Sequence, residues 1–356
     1  MKITLKDIAR ETGFSISTVS RVISNTGKIS EKARGEILNA AKRLKYPGLR
    51  IKDGSVRKEN LNIALITDFH EGEFYASYFY GFLQAARSEG IRISLLSVAD
   101  PRREAQKFIS ALISENYYDG FILFMPELER IDYEKLLKII PDHFPVVSNS
   151  MIENPLFSTI TFDGYSGGHQ AAALFHESGF RKVAIVNGPS RKAESRFRYN
   201  GFRDFISTEP GMELVWKFEG DYEFDSGSRS FEALHKSGVK PDAIFITNDL
   251  MATGFIDAAS SHGVRIPEDI AVLGYDNLPM CRHSKPEISS VITDFERLGT
   301  ATMRIIKNRM SQDGPQIGIL SLIPVSIARR DSTGHQSSMT EIVRKDDMEH
   351  VTESSL

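Results

Sequence analysis

The stretch LKDIARETGFSISTVSRVISN, residues 5–25, decides how this chain begins. Its apolar residues fall at helical spacing on either side of Gly13, which predicts two short helices, 5–12 and about 17–23. Gly13 suits the turn because glycine adopts positive φ without steric cost, and Ser15 suits the N-cap of the second helix. The predicted outer face of that helix carries side chains that can contact base edges and phosphates in a major groove, namely Ile16, Ser17, Thr18 and Arg21.

The residues that follow complete a small basic domain. Apolar residues at helical spacing around and after Ser30 predict a third helix that closes a three-helix core: Ile29, Ala33, Ile37, Ala40, Ala41 and Leu44. Residues 1–60 carry 14 basic and 6 acidic side chains, a net charge of +8, whereas residues 61–356 carry 30 and 41, a net charge of −11. This asymmetry is typical of a nucleic-acid-binding head, although a plain three-helix scaffold is the alternative.

Three signatures in this region resemble the DNA-binding head of the lactose/galactose repressor family. They are T-L-x-D-I-A at residues 4–9, T-V-S-R-V at 18–22 and I-S-x-x-x-R at 29–34. The resemblance continues to about residue 333. We therefore predict an all-α helix-turn-helix head at residues 1–46 that contacts operator DNA through Thr4, Ser15, Ile16, Ser17, Thr18, Arg21, Asn25 and Ser30.

The composition is that of an ordinary globular protein with more than one domain. A chain of 356 residues, 41% hydrophobic and 26% charged, exceeds what one compact core usually holds. It has no run of 18 apolar residues and no apolar N-terminal segment of signal-peptide type. The single cysteine, Cys281, excludes an internal disulfide, and we expect it to be a small buried hydrophobe. We predict a cytoplasmic protein without membrane contact.

Beyond a polar, basic linker at residues 47–60, short apolar runs alternate with helical patterns. The predicted strands are 62–67, 92–96, 120–124, 145–149, 159–162, 182–187, 243–247, 270–275 and 289–293. The predicted helices are 76–89, 102–116, 166–178, 194–208, 226–237, 250–262 and 295–311. Such alternation predicts parallel sheets with helices on both faces, and the number of units predicts two α/β lobes.

The family resemblance implies how these units are arranged. It implies a periplasmic-binding-protein-like core at residues 61–333, made of two similar lobes between which the chain crosses three times. On that pattern the first lobe is about 61–162 plus 294–325 and the second about 163–293, with a ligand in the cleft between them. The polar tail, 334–356, is predicted to be disordered or a frayed helix.

The linker departs from the family pattern. Family linkers form a helix on the operator and insert a leucine into the minor groove. Here the family sequence A-R-x-L is missing, and Asp53-Gly54 disfavours a helix. Leu49 is the predicted minor-groove contact, with Ile51 as the alternative, and the hinge mechanism stays open.

A small polyol or sugar needs planar polar groups and an aromatic face. Near predicted strand ends or helix starts, Arg198, Tyr222, Asn248 and Asp276 supply such a set. They also match family segments. Arg198 is the arginine before x-x-G-F, Tyr222 is the aromatic residue after G-D, Asn248 begins an N-D pair and Asp276 ends a G-Y-D. The resemblance adds Phe74, Tyr75 and Asp163. The alternative for Arg198 and Asp276 is an inter-lobe ion pair without a ligand role. Lys192 and Glu194 stand where family members vary with their ligand.

Residues 164–168, GYSGG, match the nucleophile-elbow pattern G-x-S-x-G between a predicted strand and a helix. His235, His262 and His283 follow it, as a serine triad would require, but no HGGG-type oxyanion loop is present. We interpret the motif as a glycine-eased turn that carries Asp163. The sequence has neither the spacing of metal ligands nor a phosphate-binding loop. We therefore predict that the protein binds no metal or cofactor and is not an enzyme.

These observations predict a ligand-responsive transcription regulator. Because two heads must be held about one helical turn apart on DNA, or a multiple of it, we expect a homodimer on a palindromic operator. The resemblance favours repression, with a small polar, sugar-like effector in the cleft. The alternatives are a ligand-binding module without a DNA role and a serine hydrolase that uses Ser166.

Overall fold

The structure, a computed structural model, describes residues 3–23, 29–44, 46, 61–311 and 314–334. Asn25, the predicted linker with Leu49 and Ile51, and the predicted tail from residue 335 lie outside the described residues. The chain divides into two compact units, Met1–Glu59 and Asn60–Leu356, and each is described by itself.

The first unit is built from three helices: α1 (Leu5–Thr12), α2 (Ile16–Ile23) and α3 (Glu31–Arg43). The first two match the predicted helices to within one residue. Gly13 ends α1 in the left-handed region, with φ of 73°, as the predicted turn requires. The helices enclose one buried cluster that consists of Ile8, Val19, Val22, Ile37, Ala40 and Ala41.

The first lobe of the second unit contains a six-stranded parallel sheet. Its strands are β1 (Leu61–Thr67), β2 (Ile91–Ser97), β3 (Gly120–Phe124), β4 (Val146–Ser148), β5 (Ser158–Phe162) and β11 (Leu320–Ile323). They lie in the order β11-β5-β4-β3-β1-β2. One face packs on α4 (Glu73–Ser88) and α11 (Phe295–Met310), and the other packs on α5 (Pro101–Glu115) and α6 (Arg130–Ile139).

The second lobe repeats this plan. Its strands are β6 (Lys182–Asn187), β7 (Glu213–Glu219), β8 (Ala243–Ile246), β9 (Ala271–Asp276), β10 (Ser289–Ile292) and β12 (Ser326–Ala328). The order is β12-β10-β9-β8-β6-β7, and only β12 is antiparallel to its neighbour. One face packs on α7 (Gly164–Glu177) and α8 (Ala193–Thr208), and the other on α9 (Phe224–Ser237) and α10 (Asp249–Ser261). Cys281 is fully buried in the cluster on the second of these faces.

Within the described core, the chain passes between the lobes after β5, after β10 and after β11. The last passage places β12 and the residues up to 334 in the second lobe, beyond the predicted range 163–293. There the Ser332 hydroxyl donates to the Val272 carbonyl at 2.6 Å. The sequence analysis did not predict α6, β7, β11 or β12. Of these, β11 and β12 have only four and three residues and carry no long apolar run.

The strand order reverses between β1 and β3 in the first lobe and between β6 and β8 in the second. In open α/β sheets, ligands bind beyond the carboxyl ends of the strands at such a reversal. The fold therefore directs attention to the residues that follow these four strands. Among the helices that the structure describes, none has the length and apolar character needed to cross a bilayer.

Candidate functional site

A cavity lies between the two lobes at the carboxyl ends of both sheets. Together with its solvent-open mouth it includes about 470 Å³ of space that no protein atom fills. The first lobe lines it with Phe74, Tyr78, Phe124, Asn149, Ser150, Met151, Thr161, Phe162, Phe295 and Leu298. The second lobe contributes Glu194, Arg198 and Asp276. One wall is therefore mainly aromatic and the other is charged.

Arg198 is the central group of the charged wall. Its guanidinium carbon lies 3.7 Å from the centre of the Tyr275 ring, and its Nη1 donates to the Thr247 carbonyl at 2.5 Å. Its Nη2 lies 3.8 Å from Asp276 Oδ1. This ion pair forms within the second lobe, since both residues belong to it, and not between the lobes as the alternative interpretation held.

Several buried polar atoms around Arg198 lack a hydrogen-bond partner among the described residues: Asn187 Oδ1, Arg198 Nε, Thr247 Oγ1 and Asp276 Oδ1. Asn187 ends β6 and Thr247 follows β8, the two strands at which the sheet order reverses. A buried polar group without a partner costs about 1–3 kcal/mol, and native proteins rarely tolerate several together. The arrangement therefore suits a ligand that supplies both donors and acceptors.

The backbone holds two of the predicted site residues in unusual conformations. Asp276 has φ of 106° and Tyr222 has φ of 75°. Residues other than glycine adopt such values at a cost, and they do so mainly at binding and catalytic sites. Burial raises the pKa of Asp276 to about 8, although the Arg198 charge lowers it in part. The carboxyl group is thus confined in a poorly hydrated position beside the cavity.

Tyr222 and Asn248 lie behind the cavity wall and do not line the cavity. The Tyr222 hydroxyl shares a hydrogen bond of 2.5 Å with Ser195 Oγ, and its ring packs on Gly188, where an added Cβ would lie 2.1 Å from the ring. Asn248 caps α10, because its Oδ1 accepts from the Met251 N–H at 3.0 Å, while its Nδ2 donates to the Tyr222 carbonyl. Tyr222 therefore contacts the first turn of α8, the helix that carries Arg198, and Asn248 connects the Tyr222 loop to the start of α10.

The remaining predicted effector-binding residues likewise divide into one that lines the cavity and two that do not. Phe74 lines the cavity, whereas Tyr75 packs beside it, with 5.4 Å between the two ring centres. Asp163 caps α7 by accepting a hydrogen bond from the Ser166 N–H at 2.9 Å. The structure therefore brings Phe74, Arg198 and Asp276 together in one cavity.

The sequence analysis missed most of the aromatic wall, and it named Glu194 only as a position where family members vary with their ligand. The Phe124 and Phe162 rings stand at the last positions of β3 and β5, and Phe295 opens α11. Tyr78 completes the wall and stacks on Phe124 with 4.6 Å between ring centres. The available signal was an aromatic residue at the carboxyl end of a predicted strand, because parallel strands end at one edge of a sheet.

Ion pairs join the lobes at the cavity mouth. From the loop before α8, Lys192 and Arg191 reach Glu127 of the first lobe, with N–O distances of 2.8 and 3.0 Å. Arg196 pairs with Glu153 at 2.8 Å. Partly exposed pairs contribute little each, but all three connect the region at the start of α8 to the first lobe. In the described conformation the two lobes are therefore in direct contact on this side.

The G-x-S-x-G motif has a packing role. A Cβ on Gly168 would lie 2.0 Å from the Arg198 carbonyl oxygen, and one on Gly201 would lie 1.9 Å from a carbonyl oxygen of α7. Glycine at both positions lets the backbones of α7 and α8 touch. This contact fixes the position of Arg198 relative to α7. Ser166 Oγ accepts from Gln170 Nε2 at 3.0 Å within α7.

In the first unit, α2 presents the side chains that the sequence analysis assigned to its outer face. Ser15 caps α2 as predicted, since its Oγ accepts from the Thr18 N–H at 3.1 Å. Ile16 is 47% exposed although it is a large apolar residue, and Ser17 and Arg21 are exposed as well. An exposed isoleucine beside hydroxyl and guanidinium groups fits a contact surface for bases and phosphates.

Thr4 and Ser30 stand at the starts of the other two helices. The Thr4 N–H and hydroxyl both donate to Asp7 Oδ2, at 2.9 and 2.8 Å. Ser30 Oγ accepts from the Ala33 N–H at 3.4 Å. Arg43 of α3 pairs with Glu11 of α1 at 2.8 Å. These contacts give the small domain a defined shape around α2.

Two family models match the chain. Residues 4–47 match the model of bacterial regulatory proteins of the lacI family. Residues 172–333 match the model of a periplasmic binding protein-like domain. The two matches fall on the three-helix unit and on the part of the core that holds Arg198 and Asp276.

Relatives and solved structures extend the similarity to nearly the whole chain. Catabolite control protein A of Priestia megaterium is 27% identical, covering 94% of this chain and 100% of that protein. The HTH-type transcriptional repressor PurR of Erwinia tasmaniensis is 26% identical, covering 92% and 96%. The lac repressor dimer bound to operator and the anti-inducer ONPF shares the fold, with a TM-score of 0.69 and 23% identity over 94% of this chain and 100% of that one. The CelR–cellobiose complex does so with a TM-score of 0.66 and 24% identity, covering 93% and 99%.

Proposed function

Because the chain belongs to the lacI family of bacterial regulatory proteins, we propose that it is a transcriptional repressor controlled by a small molecule. The three-helix unit binds operator DNA, and the cavity between the lobes binds the effector. We propose a homodimer, since a palindromic operator requires two heads about one helical turn apart or a multiple of it.

The observation that carries the effector role is the group of unpartnered polar atoms around Arg198 and Asp276. Arg198 and Asp276 line the cavity, and the first lobe supplies the aromatic rings of its other wall. A ligand that satisfies these two residues and also packs on the rings contacts both lobes at once, and so favours the conformation in which the lobes lie close together. That difference in affinity between closed and open lobes is what an allosteric effector requires.

The observation that carries the DNA role is the exposed set on α2 in a head of net charge +8. We assign base or phosphate contacts to Ile16, Ser17, Thr18 and Arg21. Thr4, Ser15 and Ser30 lie at helix starts, where backbone N–H groups can donate to phosphates.

Selection of binding duplexes from a random DNA library tests this function without knowledge of the operator. The full chain should recover a sequence with two inverted half-sites whose centres lie about 10 base pairs apart, or a multiple of that. Arg21→Ala should enrich this sequence more weakly, in line with a loss of about 1–3 kcal/mol in binding, whereas the mouth variant Arg196→Ala should enrich it as strongly as the parent. Recovery of no preferred sequence by the parent would leave a ligand-binding module without a DNA role as the better interpretation.

A further inference from the structure

Glu194 lies in the cavity without a role assigned so far. It stands in the first turn of α8, four residues before Arg198. Residues four apart lie on the same face of a helix, one turn from each other, and both of these line the cavity. With Asp276 they make up the charged residues that line it.

The cations nearest to Glu194 are engaged elsewhere. Lys192 holds Glu127 at 2.8 Å. Arg198 donates to the Thr247 carbonyl and faces Asp276. Burial raises the pKa of Glu194, and a hydrogen bond from its own backbone N–H together with the Lys192 and Arg198 charges only partly opposes that rise. Among the residues that the structure describes, Glu194 forms no ion pair, so a cationic ligand would give its carboxylate a positive partner that the protein does not supply.

The facing wall is suited to a cation. It presents five aromatic rings, those of Phe74, Tyr78, Phe124, Phe162 and Phe295. The face of an aromatic ring carries partial negative charge and attracts a positive group within about 6 Å. An anionic ligand would meet these rings and the Glu194 carboxylate against a single guanidinium. A cationic nitrogen would instead meet favourable partners on both sides.

We propose that Glu194 selects an effector that carries a protonated amine, or another cationic nitrogen, next to a flat or apolar body. The nitrogen lies against the Glu194 carboxylate, the body lies against the aromatic wall, and further polar groups of the ligand meet Arg198 and Asp276. This inference rests on the proposed function, because it concerns the same cavity.

The charge preference can be measured before the effector is known. Thr161 lines the cavity from β5, so Thr161→Cys places a thiol there. The native Cys281 is fully buried, and the parent chain gives its background reactivity. The probes are two methanethiosulfonates of similar size, the cationic trimethylammonioethyl and the anionic sulfonatoethyl reagent, each rate being divided by its rate with free cysteine.

We expect the normalised rate of the cationic reagent to exceed that of the anionic one about tenfold, the effect of a nearby unpaired charge. Glu194→Gln should bring the ratio several-fold closer to one. Glu194→Asp, which keeps the charge, should preserve it. Glu177→Gln, a matched loss of charge at an exposed site on α7, should leave it unchanged.

The failures are distinguishable. A ratio near or below one, or a ratio that Glu194→Gln does not change, overturns the cation preference and leaves an accessible ligand cavity in place. Reaction of the Thr161→Cys thiol with both reagents at no more than the background rate means that small molecules do not reach the cavity. That result overturns the proposed effector site itself, and the inference about Glu194 with it.

Discussion

Replacing Asp276 by asparagine should stabilise the second lobe at pH 8 while it removes an effector contact. The residue is 5% exposed, and burial raises its pKa to about 8, despite the nearby Arg198. In the unfolded chain the carboxyl group titrates near 3.8. Between pH 3.8 and about pH 8, the folded state thus binds more protons at this carboxyl group than the unfolded state does. The free energy of unfolding therefore falls as the pH rises through this window and is not lowered further above it.

The size of the effect follows from the pKa difference. At about 1.4 kcal/mol per pH unit, the wild-type chain should lose up to ~4 kcal/mol at this residue between about pH 5 and pH 8. Asparagine has nearly the same shape and does not titrate. The lost attraction to Arg198, 3.8 Å away, acts in the opposite direction. We expect Asp276→Asn to gain ~1–3 kcal/mol over the parent at pH 8 and much less at pH 5.

Urea unfolding at several pH values measures this difference. The single tryptophan, Trp216, lies on β7 of the same lobe, so its fluorescence reports the relevant transition. Asp257→Asn, an exposed change on α10, is the matched control and should follow the parent. If Asp276→Asn and the parent lose stability in parallel as the pH rises, the Asp276 carboxyl does not hold the proton and the reasoning is refuted.

Four further predictions concern the head, the cavity and the helix contact. Arg21→Ala should weaken operator binding by about 1–3 kcal/mol in mobility-shift assays at fixed salt, and equal affinity would contradict its assignment. For the parent, the logarithm of the affinity should fall against the logarithm of the salt concentration by roughly 0.9 per neutralised phosphate. A slope near zero would exclude the basic head as the DNA-binding surface. Arg198→Met should abolish stabilisation by the effector in thermal-shift assays yet bind operator normally, and loss of both would indicate a structural role. Gly168→Ala should lower the unfolding free energy in urea by about 1–3 kcal/mol, because its Cβ would meet the Arg198 carbonyl at 2.0 Å, whereas Gly35→Ala, on an open face of α3, should not.

The sequence predicted the charged wall better than the aromatic one, for a physical reason. Asp276 ends a buried strand, and Arg198 lies in the helix that follows another one; a charge at either place has few structural explanations. Phe124 and Phe162 end buried strands too, but an aromatic residue at such a position looks like an ordinary core residue. Which of them faces a cavity depends on how the second lobe packs against the first, and local spacing does not contain that information.

Tyr222 and Asn248 show the opposite error, in which the sequence analysis predicted cavity residues that do not line the cavity. They satisfy the same chemical criteria as Arg198, and they lie on loops at the correct end of the sheet. Their side chains nevertheless turn to neighbouring segments: the Tyr222 ring packs on Gly188, and Asn248 caps α10 and donates to the Tyr222 carbonyl. A pattern places a residue at an edge of a sheet, but the direction of its side chain follows from the backbone of the loop.

The passage of the chain between the lobes has a consequence for how the protein is made. One face of the first sheet is covered by α4 together with α11, and the outermost strand is β11. Ribosomes add about 5–20 residues per second, so α11 and β11 emerge many seconds after β5. During that time the second lobe has received all but one of its strands, while Ile122, Val147 and Ile160 of the first remain partly uncovered. The nascent second lobe should therefore be nearly complete while one face of the first is still uncovered, and both lobes should become complete only when residues 295–334 emerge.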